Sequence, residues 1–213
     1  MALGAHWEWR GFGRGSPELR DSFESLEELF PPLHVVDRYI WIPGSNVNVK
    51  LRKGIQDGLK FKRLLGTDGD LERWLEDPAE LYDFPLEAAA WEKLGVELHA
   101  VGLDPPRVPP GPSDLQATLE CLETVDERIT IVEVHKDRRA RLFRGPQGPV
   151  AVEWTRITQP ETVLSVGIES WTEAAVGAIR QVILDLRLEA EAIRPMSYLA
   201  ATGIWARGGL ISG

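Results

Sequence analysis

The stretch from Asn48 to Arg63, NVKLRKGIQDGLKFKR, constrains the fold most, because its charged and apolar side chains alternate. Successive side chains of a strand point to opposite faces. This period places Lys50 and Arg52 on one face of a first strand. It places Lys60 and Lys62 on one face of a second. The sequence therefore predicts two strands, each with one cationic face and one apolar face.

The basic charge of this hairpin contrasts with the acidic character of the whole chain. A predicted turn at Gly54 to Gly58 joins the two strands. The whole stretch carries six basic residues and one acid, Asp57, in a protein of net charge -9. Such a local reversal indicates a place that holds an anion. A solvated outer sheet face is the alternative, since lysine commonly protects sheet edges. The stretch alone leaves both readings open.

The same alternation occurs in the first predicted strand and again late in the chain. In the first strand His6, Glu8 and Arg10 share a polar face, and the pattern assigns Phe12 to the opposite, aromatic face.

Four further predicted strands follow residue 127, and the first of them runs from Arg128 to His135. Arg139 and Arg141 share one face of the second. Glu153 lies on the polar face of the third, and Gly167 and Glu169 lie on the polar face of the fourth. Short turns between these strands predict antiparallel pairing.

Helical patterns separate and flank the strands. Ser16 and Pro17 are typical of a helix start, and the apolar spacing predicts a helix that runs to Pro31. Residues 67–98 contain ten acids and two basic residues, and their apolar positions predict two helices. A proline-rich segment at residues 104–112 and a short helix follow. We therefore expect one domain over residues 1–213 with an acidic helical insertion at about residues 67–122.

Composition limits the functional classes. The single cysteine, Cys121, excludes an internal disulfide framework. A pI near 5.0 argues against general nucleic-acid binding. The sequence has no secretory signal pattern and no apolar run of the roughly 18 residues that span a bilayer. These features predict a cytoplasmic protein with no membrane partner, and they leave a homodimer open.

The charged strand faces predict how the sheet is arranged. Burial of an unpaired ion costs several kcal/mol, so a sheet with charged inner positions is unfavourable unless the charges meet water or a ligand. A closed barrel around a hydrated lumen meets that condition. We expect an α+β fold: a closed or nearly closed antiparallel β-barrel, or tunnel, with a polar lumen and a cover of helices.

The ordered series of strands resembles the CYTH superfamily, the triphosphate tunnel metalloenzymes, which include class IV adenylate cyclase and thiamine triphosphatase. The opening E-x-E-x-K strand of that family resembles His6-Trp7-Glu8-Trp9-Arg10. Its closing E-x-E strand resembles Gly167-Ile168-Glu169. The strands between them resemble Val49-Lys50-Leu51-Arg52, Leu59-Lys60-Phe61-Lys62, Arg139-Ala140-Arg141 and Ala151-Val152-Glu153.

The resemblance implies a site for a triphosphate or polyphosphate small molecule. Rows of lysine and arginine neutralise and orient such an anion, and carboxylates hold a divalent cation, Mg²⁺ or Mn²⁺. The residues it implies for substrate binding are Arg10, Lys50, Arg52, Lys60, Lys62, Arg139 and Arg141. The residues it implies for catalysis and metal binding are Glu8, Glu153 and Glu169, with His6 as a further metal ligand.

Because of two departures from the family pattern, two different functions stay open. His6 and Gly167 stand where the family has glutamates, and glycine offers no ligand. One hypothesis is a metal-dependent hydrolase of tripolyphosphate or an organic triphosphate. The other is a catalytically degenerate CYTH-like module that binds an anion or a protein. Nothing in the sequence specifies adenine recognition, so a cyclase is the least favoured reading.

Overall fold

The computed structural model describes residues 4–53, 57–76, 81–106 and 111–212. The predicted turn and the proline-rich segment lie partly outside these ranges. The strands are β1 (Ala5–Arg14), β2 (Glu27–Trp41), β3 (Val47–Lys53), β4 (Gly58–Asp68), β5 (Leu71–Glu76), β6 (Tyr82–Asp83), β7 (Thr130–Gly145), β8 (Gly148–Gln159), β9 (Val163–Ser170) and β10 (Ala192–Pro195). The helices are α1 (Pro17–Glu24), α2 (Ala88–His99), α3 (Leu115–Glu123), α4 (Ala175–Asp185) and α5 (Tyr198–Ala206).

Eight of the strands close into a barrel within the described part of the chain. Their order is β1, β5, β4, β3, β2, β7, β8 and β9, and β9 pairs back onto β1. Every pairing in the ring is antiparallel. The short strands β6 and β10 add to β4 and β1 outside the ring. The predicted closed antiparallel barrel is confirmed.

Helices α1 and α4 cover the outer face of β1, β8 and β9. Phe23 of α1 and Ile179 of α4 belong to one buried cluster with Val152 of β8 and Ile168 of β9. The capping serine Ser16 begins α1 as the sequence predicts, since its hydroxyl accepts a hydrogen bond from the Leu19 amide. Apolar burial on this side fixes the outward face of the strands, so their alternate side chains must point into the barrel.

Helices α2 and α3 cover the outer face of β3 and β4. Val49 and Leu51 of β3 pack with Leu59 of β4, and Trp91 and Leu94 of α2 complete the cluster. The acidic region thus contributes an apolar helix face to the outside of the barrel. Within the described ranges, no helix combines the length and apolar character needed to cross a lipid bilayer.

Helix α5 closes one end of the lumen. Tyr198 and Trp205 of α5 pack with Phe12, Tyr39 and Val134 from the barrel strands. The prediction that Phe12 faces outward is wrong, because Phe12 keeps the alternation of Glu8 and Arg10 and therefore points inward. The lumen has an apolar end under α5 and a charged remainder.

Two predicted helices are corrected by the structure. Residues Leu71–Glu76 form strand β5, although Leu71 and Trp74 have the spacing of a helix face. In the strand these two side chains point to opposite faces, so each has its own buried environment. Helix α1 ends at Glu24, and the two prolines that follow lie inside β2, where register shifts against β7 tolerate them.

Glu161 ties the chain after α5 to the turn between β8 and β9. Its carboxylate accepts hydrogen bonds from Trp205 Nε1 at 2.6 Å, the Ile211 amide at 2.7 Å, and the Ser212 amide and hydroxyl at 3.1 and 2.6 Å. Substitution Glu161→Ala leaves these donors without their acceptor. We expect the free energy of unfolding to fall by about 1–3 kcal/mol, measured by chemical denaturation.

The matched control for this prediction is the exposed Glu173, whose substitution Glu173→Ala should change the same free energy by no more than about 0.5 kcal/mol. Equal effects of the two substitutions would contradict a structural role for Glu161.

Candidate functional site

The charged part of the lumen forms a cavity of about 130 Å³. Among the described residues, seven cationic and four acidic side chains line it. The cations are Arg10, Lys50, Arg52, Lys60, Lys62, Lys136 and Arg138. The acids are Glu8, Glu76, Glu153 and Glu169. The barrel thus places both signs of charge inside, with an excess of positive charge.

Most of the side chains that the sequence assigns to the site reach this cavity. They are Glu8, Arg10, Lys50, Arg52, Lys60, Lys62, Glu153 and Glu169. They come from β1, β3, β4, β8 and β9, and each stands at an inward position of its strand. Their roles in binding stay predictions.

Arg139 and Arg141 do not reach the cavity, so their predicted placement is corrected. Both lie outside the barrel, where Arg139 Nη1 and Arg141 Nη2 contact the Glu24 carboxylate of α1 at 2.5 and 2.6 Å. The inward positions of β7 are instead occupied by Lys136 and Arg138. Each face of this strand carries a pair of basic residues. The sequence analysis assigned the wrong face to the interior and so chose the outer pair instead of the inner pair.

Arg10 lies at the centre of the predicted carboxylates. Its Nε donates to Glu8 Oε1 at 2.7 Å, and Nη1 donates to Glu153 Oε1 and Ser165 Oγ, both at 3.1 Å. Nη2 is 3.5 Å from Glu169 Oε1. The side chain is buried, and burial alone would lower its pKa, but the neighbouring carboxylates hold the pKa well above its usual value. Arg10 is therefore a permanent positive charge at this point.

Cations other than Arg10 complete the pairing of the buried glutamates. Lys62 Nζ is 2.5 Å from Glu8 Oε2, and Arg138 contacts Glu153. Burial alone would raise the pKa of Glu8 and of Glu153. The basic partners lower both values below the usual range of a glutamate. Both carboxylates are therefore ionised at neutral pH and already compensated by the protein.

A second charged cluster, which the sequence analysis missed, surrounds Asp37 on β2. This fully buried carboxylate contacts Arg52 Nε at 2.8 Å, Lys136 Nζ at 2.7 Å and Lys50 Nζ at 3.5 Å. Three cations thus share one carboxylate. The signal for Asp37 was present, because it is the one acid between His34 and Ile42, in the segment that precedes the basic hairpin.

Lys136 is the most enclosed cation of this cluster. Its Nζ lies 4.6 Å from the ring centroid of Tyr39 and 4.0 Å from that of Tyr198, and it donates to the Tyr39 hydroxyl at 2.5 Å. Burial lowers the pKa of Lys136 to about 8, and burial likewise lowers the pKa of Lys50 well below its usual value. In this cluster, burial therefore disfavours the charged form of both lysines, and Asp37 opposes that effect.

His6 lies beside the site but outside the cavity lining. Its ring is buried, 5.0 Å from the Trp171 ring, and its Nε2 is 3.9 Å from Glu8 Oε2. Within the described ranges neither ring nitrogen has a hydrogen-bond partner. The predicted role of His6 as a metal ligand gains no support from this geometry.

The arrangement does not fit the divalent cation that the family resemblance implies. A hard cation such as Mg²⁺ needs several oxygen ligands that converge on it. Glu8, Glu153 and Glu169 instead converge on the Arg10 guanidinium. Across the parts of the chain that the structure describes, no three histidine, cysteine or acidic side chains are grouped so as to hold a metal ion.

The overall fold is similar to that of several solved structures. A conserved hypothetical protein from Pyrococcus furiosus is 19% identical, with a TM-score of 0.51, over 90% of this chain and 98% of that chain. The PH1819 protein from Pyrococcus horikoshii is 12% identical, with a TM-score of 0.53, over 92% and 97%. HpAC1 from Hippeastrum, a candidate adenylyl cyclase with a dominant triphosphatase activity, is 10% identical, with a TM-score of 0.52, over 97% of both chains.

These likenesses extend over nearly the whole chain, and at such identities they establish the fold. No protein-family model matches the sequence, and no curated protein matches it either. Together with the closed barrel and its charged lumen, they confirm the predicted fold, a closed antiparallel β-barrel with a polar lumen and a cover of helices.

The Asp37 cluster makes a prediction about stability. Substitution Asp37→Asn removes the carboxylate that compensates three buried cations, so we expect the free energy of unfolding to fall by about 3–5 kcal/mol in chemical denaturation. The control Asp68→Asn breaks an exposed pair with Arg180 and should cost no more than about 1 kcal/mol. Equal losses in the two variants would contradict the importance of the buried cluster.

Proposed function

We propose that the charged cavity binds a polyphosphate-type anion, either inorganic tripolyphosphate or the triphosphate group of an organic molecule. The observation that supports the proposal is the excess of cationic side chains on an enclosed surface, in a protein whose net charge is -9. A general electrostatic preference for anions would require a basic protein. A local preference requires only that the basic side chains converge.

The excess is concentrated at Lys50, Arg52 and Lys136, which have Asp37 in common. Burial disfavours the charged form of a lysine, and the lowered pKa values of Lys50 and Lys136 reflect that cost. A bound anion supplies the negative charge that Asp37 alone does not. Burial disfavours the charged form of these lysines, and it therefore favours a ligand that brings negative charge to them.

The positions of the cations suit an extended ligand with several charged groups. Lys50 and Lys60 are directly opposite each other on β3 and β4, and Arg138 reaches the cavity from β7. A linear polyphosphate carries oxygens along its length, so it can contact cations from several strands at once. Arginine and lysine both bind phosphate oxygens by charge-assisted hydrogen bonds.

Hydrolysis of the bound anion is the second candidate function. It is favoured by the fold that this chain shares with HpAC1. We place binding first because Glu8, Glu153 and Glu169 are paired with Arg10. Hydrolysis predicts phosphate release that requires Mg²⁺ or Mn²⁺ and is lost in Glu169→Gln. Binding alone predicts that tripolyphosphate is recovered intact after prolonged incubation.

Binding is tested by isothermal titration with tripolyphosphate and a matched pair of variants. Lys60 lines the cavity, whereas Lys53 is exposed at the end of β3. We expect Lys60→Gln to weaken binding by about tenfold, since a charged hydrogen bond contributes roughly 1.5–3 kcal/mol. Lys53→Gln should leave the affinity within about twofold. Equal effects of the two variants, or no heat of binding to the wild-type protein, would contradict the proposal.

The pKa of Lys136 gives this binding a defined pH dependence. An anion favours the ammonium form, so affinity is full below the pKa of about 8 and is lost as the pH rises through that value. We expect the affinity for tripolyphosphate to fall by about tenfold from pH 7 to about pH 9.5. Tripolyphosphate itself only gains negative charge over this range, so a loss of affinity must come from the protein. Affinity that stays constant or rises would contradict the assignment.

A further inference from the structure

We infer that the Arg10 guanidinium takes the place of a divalent cation in this barrel, so that the lumen binds its anion without a metal. The inference rests on the proposed anion-binding function and specifies the cofactor requirement of that site. Three independent features carry it: the contacts of Arg10, the glycine at position 167, and the charge already present around the glutamates.

The first feature is the set of contacts that Arg10 makes. Its Nε, Nη1 and Nη2 atoms are directed at Glu8, Glu153 and Glu169 respectively, at 2.7, 3.1 and 3.5 Å. The aromatic ring of Tyr198 lies 4.7 Å from its Cζ and restricts it on one side. A guanidinium in this position uses the carboxylate oxygens that would otherwise be ligands of a cation.

The second feature is the room that Gly167 provides. Arg10 on β1 pairs with Gly167 on β9, and Gly167 pairs with Glu153 on β8, so the Arg10 side chain crosses β9 at the glycine to reach Glu153. A Cβ atom built at position 167 would lie 2.6 Å from Arg10 Nη2 and 2.8 Å from its Cζ. Arg10 in this conformation therefore excludes any side chain at position 167, including the glutamate that the family pattern has there.

The third feature is the balance of charge. Glu8, Glu153 and Glu169 are surrounded by Arg10, Lys62 and Arg138, so three carboxylates meet three cations. A divalent cation among these carboxylates would add two positive charges next to the guanidinium in a poorly solvated space. Like charges at such short distances in a poorly solvated space repel each other strongly. A metal would have to displace Arg10 in order to bind.

These features give the missing carboxylate at position 167 a structural meaning. The absence of a side chain at position 167 leaves the room that the Arg10 guanidinium occupies, so the residues at the two positions belong to one arrangement. The anion site then lies among the remaining cations of the cavity, and Arg10 stabilises the acidic side of the lumen.

The test uses Mn²⁺ as the metal probe and tripolyphosphate as the anion probe. Mn²⁺ binding is followed by electron paramagnetic resonance on the wild-type chain and on the double variant Arg10→Ala/Gly167→Glu, which removes the guanidinium and restores a carboxylate. We expect no stoichiometric Mn²⁺ binding to the wild type. We expect the double variant to bind Mn²⁺ at least about tenfold more tightly.

The anion arm compares tripolyphosphate titrations of the wild type in EDTA and in Mg²⁺. We expect affinity in EDTA that is equal to or higher than that in Mg²⁺, because Mg²⁺ competes for the free anion. Binding that appears only with Mg²⁺, or stoichiometric Mn²⁺ binding to the wild type that Glu8→Gln abolishes, overturns the inference. If the double variant does not fold, the two wild-type measurements still decide it.

The two arms also separate this inference from the proposed function. Failure of tripolyphosphate to bind under either condition overturns the anion-binding function. The Mn²⁺ titration tests separately whether Arg10 takes the place of the metal, whatever the result with tripolyphosphate.

Discussion

Pairing of charges inside a closed sheet is the constraint on which the rest of the structure depends. The outer faces of the strands are committed to apolar contacts with α1, α2, α3 and α4, so their alternate positions must point into the lumen. Because those positions carry lysine, arginine and glutamate, the barrel is stable only if each buried charge finds a partner. Arg10 with its three glutamates and Asp37 with its three cations are two of the arrangements that meet this requirement.

The two clusters differ in their balance of charge, and that difference distinguishes the structural role of the first from the ligand-binding role that we propose for the second. The glutamates are matched by cations and need nothing further. The cluster around Asp37 has more cations than carboxylates, and the lowered pKa of Lys136 is a physical sign of that excess. Helix α5 closes the lumen at its apolar end and places Tyr198 beside Lys136, so the enclosure that shifts this pKa and the closure of the barrel have a common origin.

Much of this arrangement could be predicted from the sequence, because a period of two assigns faces directly. The inward positions of Lys50, Lys60 and Glu153 were predicted correctly for this reason. The method failed where both alternations of a strand carry the same residue type, as in β7, since only its pairing with β2 and β8 determines which arginines point inward. It also failed at β5, whose apolar residues serve two different faces and so imitate a helix. The link between Arg10 and Gly167 connects neighbouring strands and is not visible in either segment alone.

The central claim is that the cations inside the barrel, and not those on its surface, hold a polyphosphate anion. The most direct measurement is a crystal structure of the protein grown with tripolyphosphate in the presence of EDTA. The account predicts electron density for the anion within the cavity, in contact with Lys50, Lys60 and Lys136, with Arg10 still bound to its glutamates. Density for the anion only at surface arginines such as Arg139, or a cavity filled by water alone at saturating ligand, would contradict it.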